Sequence, residues 1–184
     1  MPLEILTIPC LTDNYAYIAH NGDTGETLVV DVPEAAPVMT ALAQRGWTLS
    51  HVFLTHHHAD HVDGLDLVLK THPAKVIGAA ADAHRLAALD LAVREGDYIS
   101  IGNYRGEIMD VSGHTLGHIA LHFPEAKAAF TADSLMALGC GRLFEGSPQL
   151  MFESLTKLVA LPAQTWIYSG HESTASNLKF ALSI

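Results

Sequence analysis

The chain has 184 residues, 49% hydrophobic and 16% charged, which suits one domain with a sizeable core and argues against disorder. A formal net charge of −10 argues against a nucleic-acid surface. No run reaches the roughly eighteen apolar residues of a membrane span, and Met1-Pro-Leu-Glu4 lacks the basic start of a signal peptide, so no membrane partner and a cytoplasmic location are expected. Cys10 and Cys140 lie far apart and do not suggest a disulfide scaffold.

In chain order, strand-like runs at residues 4–8, 15–20 and 27–32 precede a helical segment at 35–45. A short apolar strand at 51–54 leads into a histidine-rich loop and a helix-like segment at 61–70. Residues 76–79 read as a strand, 81–91 as helix or loop, and 98–101 with 104–111 as a hairpin, followed by strands at 119–123 and 128–131. Ser147 and Pro148 form a cap and first-turn signal for a helix running to about residue 161. Its Leu150, Met151, Leu155, Leu158 and Val159 are at helical spacing and read as core. A last strand at 165–168 leads to a helix from about Ala175. Linker composition and internal repeats are both lacking, so residues 1–184 read as one domain of α/β class, an αββα sandwich.

The chemistry concentrates in Thr55-His56-His57-His58-Ala59-Asp60-His61, directly after the 51–54 strand. In extended backbone His56 and His58 project to the same side and can share a metal, whereas His57 projects to the opposite face and is left out, so that replacing it by alanine is expected to change little. Asp60 and His61 open the following helical segment and point toward a neighbouring site, which makes two adjacent cations the natural reading. Zinc takes three or more protein groups beside an open position for water. His114, Asp133 and His171 supply further donors, and each stands just past a strand-like run. Ligands that repeatedly terminate distant strands imply one sheet edge where those ends converge, and point to metal-dependent hydrolysis. His118 stands four residues beyond His114 and reads either as a support to a ligand or as structural. His20, His51, His72 and His84 read as surface or loop residues and His122 as an ordinary strand residue.

The Thr-His-x-His-x-Asp-His pattern resembles the signature of the metallo-β-lactamase superfamily. Within that superfamily the chain resembles glyoxalase II, the hydroxyacylglutathione hydrolases, along nearly its whole length. The resemblance is carried by Ile8-Pro-Cys-Leu-Thr-Asp-Asn-Tyr15, Gly113-His-Thr-Leu-Gly-His118, Gly139-Cys-Gly-Arg-Leu-Phe-Glu-Gly146 and the ending from Gly170-His-Glu-Ser173. It implies the metallo-β-lactamase fold. It also implies a first metal on His56, His58 and His114, a second on Asp60, His61 and His171, and Asp133 shared between them. The implied activity is hydrolysis of S-D-lactoylglutathione, a step of methylglyoxal detoxification, by a hydroxide held between two divalent ions and oriented by Asp60. Zinc is the expected metal, with iron and manganese as alternatives. Arg142 matches a basic residue of the family that meets a carboxylate of glutathione, and Phe144 stands where a Tyr is often found. Cys140 reads as a loop residue.

The chain departs from that family in ways that bear on substrate. The family's usual Tyr after His-Glu is Ser173 here, and its members continue past the position of Ile184 into a small helical domain with basic residues for glutathione. The expectation is therefore a catalytic domain without that helical clamp, whether a truncated protein, an isolated domain or a short relative with another thioester or ester substrate. Three competing readings are a persulfide dioxygenase with one iron, a zinc β-lactamase, and a metal-binding scaffold with weak activity. Seven candidate ligands speak against the first. For the second, the variety that uses a Cys ligand would need it where Asp133 stands.

Overall fold

Apolar strands in the first half of the chain assemble into a six-stranded sheet, as described by a computed structural model of residues 1–184. Strands β1 (Leu3–Cys10) and β2 (Asn14–Asn21) form a hairpin in register from Leu3 opposite Asn21 to Cys10 opposite Asn14. Strand β3 (Thr27–Val30) pairs antiparallel with β2, and β4 (His51–Phe53), β5 (Lys75–Ala79) and β6 (Leu91–Val93) then add in parallel. Parallel neighbours require crossovers, which the chain makes with α1 (Ala35–Arg45) after β3 and with α2 (Ala59–Val62) and α3 (Leu65–Thr71) after β4.

The second half builds a five-stranded sheet from β7 (Tyr98–Ile101), β8 (Tyr104–Asp110), β9 (Ile119–Phe123), β10 (Ala128–Ala132) and β11 (Trp166–Ser169). Its order is β11-β10-β9-β8-β7, antiparallel except where β11 runs parallel to β10 after the crossover helix α4 (Pro148–Val159). Helix α5 (Thr174–Ala181) follows β11. The sheets face one another across a core that includes Val30, Phe53 and Ile77 from one side and Ile101, Ile108, Leu121, Phe123 and Phe130 from the other. A second core packs Val38, Leu42, Leu65 and Val68 of the helices against the outer face of the first sheet. Leu158 of α4 closes over Val111 and Ala120 on the far side, which completes an αββα sandwich. No helix is long and apolar enough to cross a membrane.

Tertiary contacts revise the expected elements in four places. The helix expected over 61–70 is two helices, because Gly64 lies against the start of α1, where an added Cβ would come within 2.6 Å of the Ala35 nitrogen. Of the helix or loop expected over 81–91 the loop is found, after a short 3₁₀ turn at Ala80–Asp82, and it leads into β6, an unexpected strand of three residues whose character comes from pairing with β5. The strand expected over 27–32 stops at Val30, since Asp31 adopts a left-handed backbone with φ of 56°. Val159 is 81% exposed rather than core, and Ser154 is buried instead, donating to the Ser112 carbonyl at 2.6 Å. The cap forms as the sequence predicts: Ser147 accepts from the Leu150 N–H at 3.1 Å, with Pro148 as the first helical residue.

The ends of β4, β8, β10 and β11 point to one edge of the sandwich. The sheets are joined there by the Ile119 N–H to the Thr55 carbonyl at 3.0 Å and by the Tyr15 N–H to the Gly170 carbonyl at 2.9 Å.

Candidate metal centre and active site

Seven histidine and aspartate side chains meet at that edge. The donor atoms of His56, His58 and His114 lie within 4.8 Å of one another, as do those of Asp60, His61 and His171. Asp133 stands between the two triads. Its Oδ2 is 3.3 Å from His114 Nε2 and 3.4 Å from His171 Nε2, and its Oδ1 is 3.5 Å from His61 Nε2. A third grouping, Asp31 with His56 and His61, is equally close, but its carboxylate is already engaged. Asp31 Oδ1 accepts from the Thr55 N–H at 2.9 Å, and Oδ2 accepts from the Thr55 hydroxyl and from His61 Nδ1, each at 2.8 Å. That leaves His61 Nε2 to face the site, the arrangement in which a carboxylate fixes the tautomer and orientation of a ligating imidazole.

Local backbone explains why the side chains converge. The pairing of β10 with β11 shifts register between Phe130 and Ala132, and Ala132 takes a left-handed φ of 44°, which turns the chain at the residue before Asp133. Two glycines stand where no side chain fits. A Cβ on Gly170 would come within 2.2 Å of Asp133 Oδ1, and one on Gly141 within 2.4 Å of the Asp133 carbonyl.

The triads differ electrostatically. Burial, then the neighbouring imidazoles of His118 and His61, push His56 well below the ordinary histidine value. His58 and His114 are lowered as well, each chiefly by burial. Across Asp133 the balance reverses. Burial opposes the charged form of His61, but hydrogen bonds to Asp133 and Asp31 outweigh it and bring the group up to about 10. Hydrogen bonds to Asp133 and Asp60 push His171 up to about 11. The His171 hydrogen bond, helped by Asn14, holds Asp60 well below the usual carboxylate range. Asp133 is also held far below that range, because hydrogen bonds from His171 and His61 overcome its burial.

These residues fit a pair of divalent cations. His56 Nε2 is buried without a hydrogen-bond partner, a costly state that coordination relieves. The donors are imidazole nitrogens and carboxylate oxygens, which suit zinc, iron and manganese.

The site opens into a cleft of about 790 Å³ whose lining includes Asp60, Asp133, Cys140, Arg142, Phe144 and His171. Arg142 is the one lysine or arginine in that lining. Phe144 is exposed and meets His58 and His114 edge-on at 5.4 and 5.3 Å between ring centroids. Ser173 also lines the cleft.

Several residues that support the site received no role from the sequence. Besides Asp31, Asn14 Nδ2 donates to the Asp60 carboxylate and backbone carbonyl, both at 3.0 Å, and Asp13 Oδ1 lies 3.2 Å from His171 Nδ1. The signal for Asp31 was available: a lone acid ends the apolar run Thr27-Leu-Val-Val, at the same sheet edge as the ligands. His57 lies outside both triads and bonds to Asp82 at 3.0 Å. His118 is fully buried and stacks on His56 at 4.5 Å between centroids, with neither ring nitrogen hydrogen-bonded.

Residues 12–171 match the family model of the metallo-beta-lactamase superfamily. The chain is 61% identical over 184 residues to the hydroxyacylglutathione hydrolase of Roseobacter denitrificans, covering all of this chain and 72% of that protein. It is 62% identical, with the same coverage, to the hydroxyacylglutathione hydrolase of Ruegeria pomeroyi. Among solved structures, BLEG-1 B3 metallo-beta-lactamase superposes with a TM-score of 0.82 at 24% identity over 92% of each chain, a likeness of fold.

Proposed function

This chain belongs to the metallo-beta-lactamase superfamily and, within it, to the hydroxyacylglutathione hydrolases, and from that premise we propose that its cleft hydrolyses S-D-lactoylglutathione to D-lactate and glutathione. The observation that carries the reading is the position of Asp133, in contact with both triads in a cleft whose one lysine or arginine is Arg142. His56, His58 and His114 would hold one divalent cation, Asp60, His61 and His171 a second, and Asp133 both. We infer zinc as the metal, the same donors also accepting iron or manganese. When bound, such a pair supplies a nucleophile at neutral pH by acidifying water, and it polarises the thioester carbonyl.

The chain's own groups do the rest. Asn14 pins Asp60, whose half-exposed carboxylate faces the cleft and can orient the attacking water by accepting its hydrogen. Asp31 and Asp13 fix the rings of His61 and His171. Arg142 meets a carboxylate of the glutathione moiety, and the ring of Phe144 walls the reacting carbonyl off from solvent. The leaving thiolate is a stable anion, so the cleft needs no strong general acid.

The test is to follow loss of the thioester absorbance of S-D-lactoylglutathione with the purified chain while determining its metal content. Hydrolysis abolished by a chelator and restored by zinc is expected. A chain that carries two ions and leaves the thioester intact overturns the proposal.

A further inference from the structure

Behind the first triad lies a charged network that the chemistry above does not use. Asp82, fully buried in the 3₁₀ turn, accepts from His57 Nδ1 at 3.0 Å and from Arg85 Nε at 2.5 Å. Arg85 also pairs with the Glu145 carboxylate through both terminal nitrogens and donates to the Leu116 carbonyl at 2.9 Å. Glu145 Oε2 accepts from the Leu116 N–H at 2.7 Å, and Glu145 Oε1 stands 3.7 Å from His57 Nε2. Gly117, with a left-handed φ of 87°, lies so close to Asp82 that a Cβ would meet the Asp82 Cβ at 3.0 Å. Four segments distant in sequence are thereby tied together: the metal motif, the 80–86 turn, the turn that carries His114, and the cleft loop at 139–146.

The cleft loop shows why this matters. It carries Arg142 and the exposed Phe144, and its backbone is stitched to the neighbourhood of the ligands. The Gly141 N–H donates to the Asp133 carbonyl at 2.8 Å, His114 Nδ1 reaches the Arg142 carbonyl at 2.7 Å, the Phe144 N–H donates to the His114 carbonyl at 3.1 Å and the Gly146 N–H to the Gly113 carbonyl at 3.1 Å. The loop and the His114 turn therefore form one body, and the Arg85–Glu145 fork sets where that body sits relative to His56 and His58. Bidentate, charge-assisted pairs of this kind fix position more sharply than single contacts.

We propose that His57, Asp82, Arg85 and Glu145 are positioning residues that hold the cleft loop, with Arg142 and Phe144, in register with the metal motif. The proposal deepens the reading of the cleft as a glutathione thioester site and rests on it for its kinetic arm. Small displacements of a binding group cost productive orientation even where no reacting atom is touched.

Two full-length, metal-loaded variants test it. Arg85→Met removes the fork and leaves Asp82 short of a partner. Glu145→Gln removes one charge while keeping the shape, and covers the case in which the first variant folds poorly. Each should retain the parent's metal content and raise KM for S-D-lactoylglutathione by about tenfold, the scale of losing a hydrogen bond to a charged group. KM for a lactoyl thioester without the glutathione peptide, and kcat for both, should move much less. Amide hydrogen exchange should accelerate at residues 114–117 and 139–146 and stay unchanged in the sheets. Equal losses on both thioesters together with loss of metal mean a general structural role and overturn the proposal. So does unchanged exchange in the loop. If the parent itself leaves lactoylglutathione intact, the functional reading fails, and loop exchange alone decides whether the network holds the loop.

Discussion

The two triads around Asp133 are built alike in outline and differ in their electrostatics. His56, His58 and His114 are all imidazoles lowered chiefly by burial, and His114 is backed by the Arg142 carbonyl. Asp60, His61 and His171 stand among carboxylates, with Asp31 behind His61, Asp13 behind His171 and Asn14 behind Asp60. The first half offers imidazoles held by burial and loop contacts, and the second a carboxylate and two imidazoles, both backed by further carboxylates, held by fixed hydrogen bonds. A cation on the acidic side would compete with protons for His61 and His171, which the carboxylates push above the ordinary histidine value, whereas one on the neutral side would satisfy an orphaned Nε2 of His56. Each half should therefore respond to different substitutions.

The change that removes the distinction altogether is Asp133→Ala. Asp133 stands between the two triads and faces His61, His114 and His171, so both ions should be lost on gentle dialysis. Thioester hydrolysis should fall by on the order of a thousandfold, the scale of removing a principal electrostatic element from a reaction centre. Elemental analysis alongside kcat checks this, and a variant that still holds two ions breaks the shared-carboxylate picture. Asp31→Asn sharpens the comparison by acting most directly on one side, since Asp31 bonds His61 itself and reaches His56 only through the Thr55 hydroxyl. It takes the hydrogen-bonded charge from behind His61 and should weaken one of the two ions by roughly ten- to hundredfold, as loss of an orienting partner does elsewhere. Chelator competition then resolves one tight and one weak site, and equal weakening of both contradicts the division.

How much of this was legible in the sequence follows the range of the interactions involved. The seven candidate donors could be proposed because they follow the ends of four apolar runs, and strand ends are a local pattern. The same holds for α1, whose apolar spacing and Gly46 stop lie within one segment, and for the Ser147 cap. Asp82 and Arg85 escaped because the partners that give them a role, His57 and Glu145, are far away in the chain, Asp31 was passed over although a lone acid ends its apolar run, and β6 escaped because three residues carry no periodicity of their own. His57 illustrates both sides: its place outside the ligand sets follows from the two-residue period of an extended chain, while its bond to Asp82 requires the fold.

The cleft offers a finer test, one that leaves both triads intact. Arg142 should act through binding, so Arg142→Ala should raise KM for lactoylglutathione with little change in kcat. The loss should correspond to roughly 1.5 to 3 kcal/mol, the scale of a hydrogen bond between charged groups. A lactoyl thioester that lacks the glutathione peptide should be turned over equally well by parent and variant. Equal impairment on both substrates would place Arg142 in support of the triad through its carbonyl contact with His114 rather than in recognition.

The smallest effect concerns acid. Glu145 is held at about 2, below its ordinary 4.5, chiefly by its hydrogen bonds from Arg85, which outweigh the opposing effect of burial, with a further contribution from the Leu116 N–H. A carboxyl whose folded value lies below its unfolded one contributes stability that is fully present above the unfolded value and is lost as pH falls toward the folded one. The window for Glu145 thus runs from 4.5 down to about 2. Both side chains of the pair are partly exposed, at 29% for Arg85 and 26% for Glu145, so salt should screen part of the effect. Denaturant midpoints measured for parent and Glu145→Gln should therefore differ at pH 6 and converge by about pH 2, with the difference reduced in high salt. The comparison has to be made between the two proteins, because Asp60 and Asp133 are also lowered and contribute acid sensitivity to both. Curves that stay parallel down to pH 2 would mean that Glu145 is held in place by its loop rather than by the charge of Arg85.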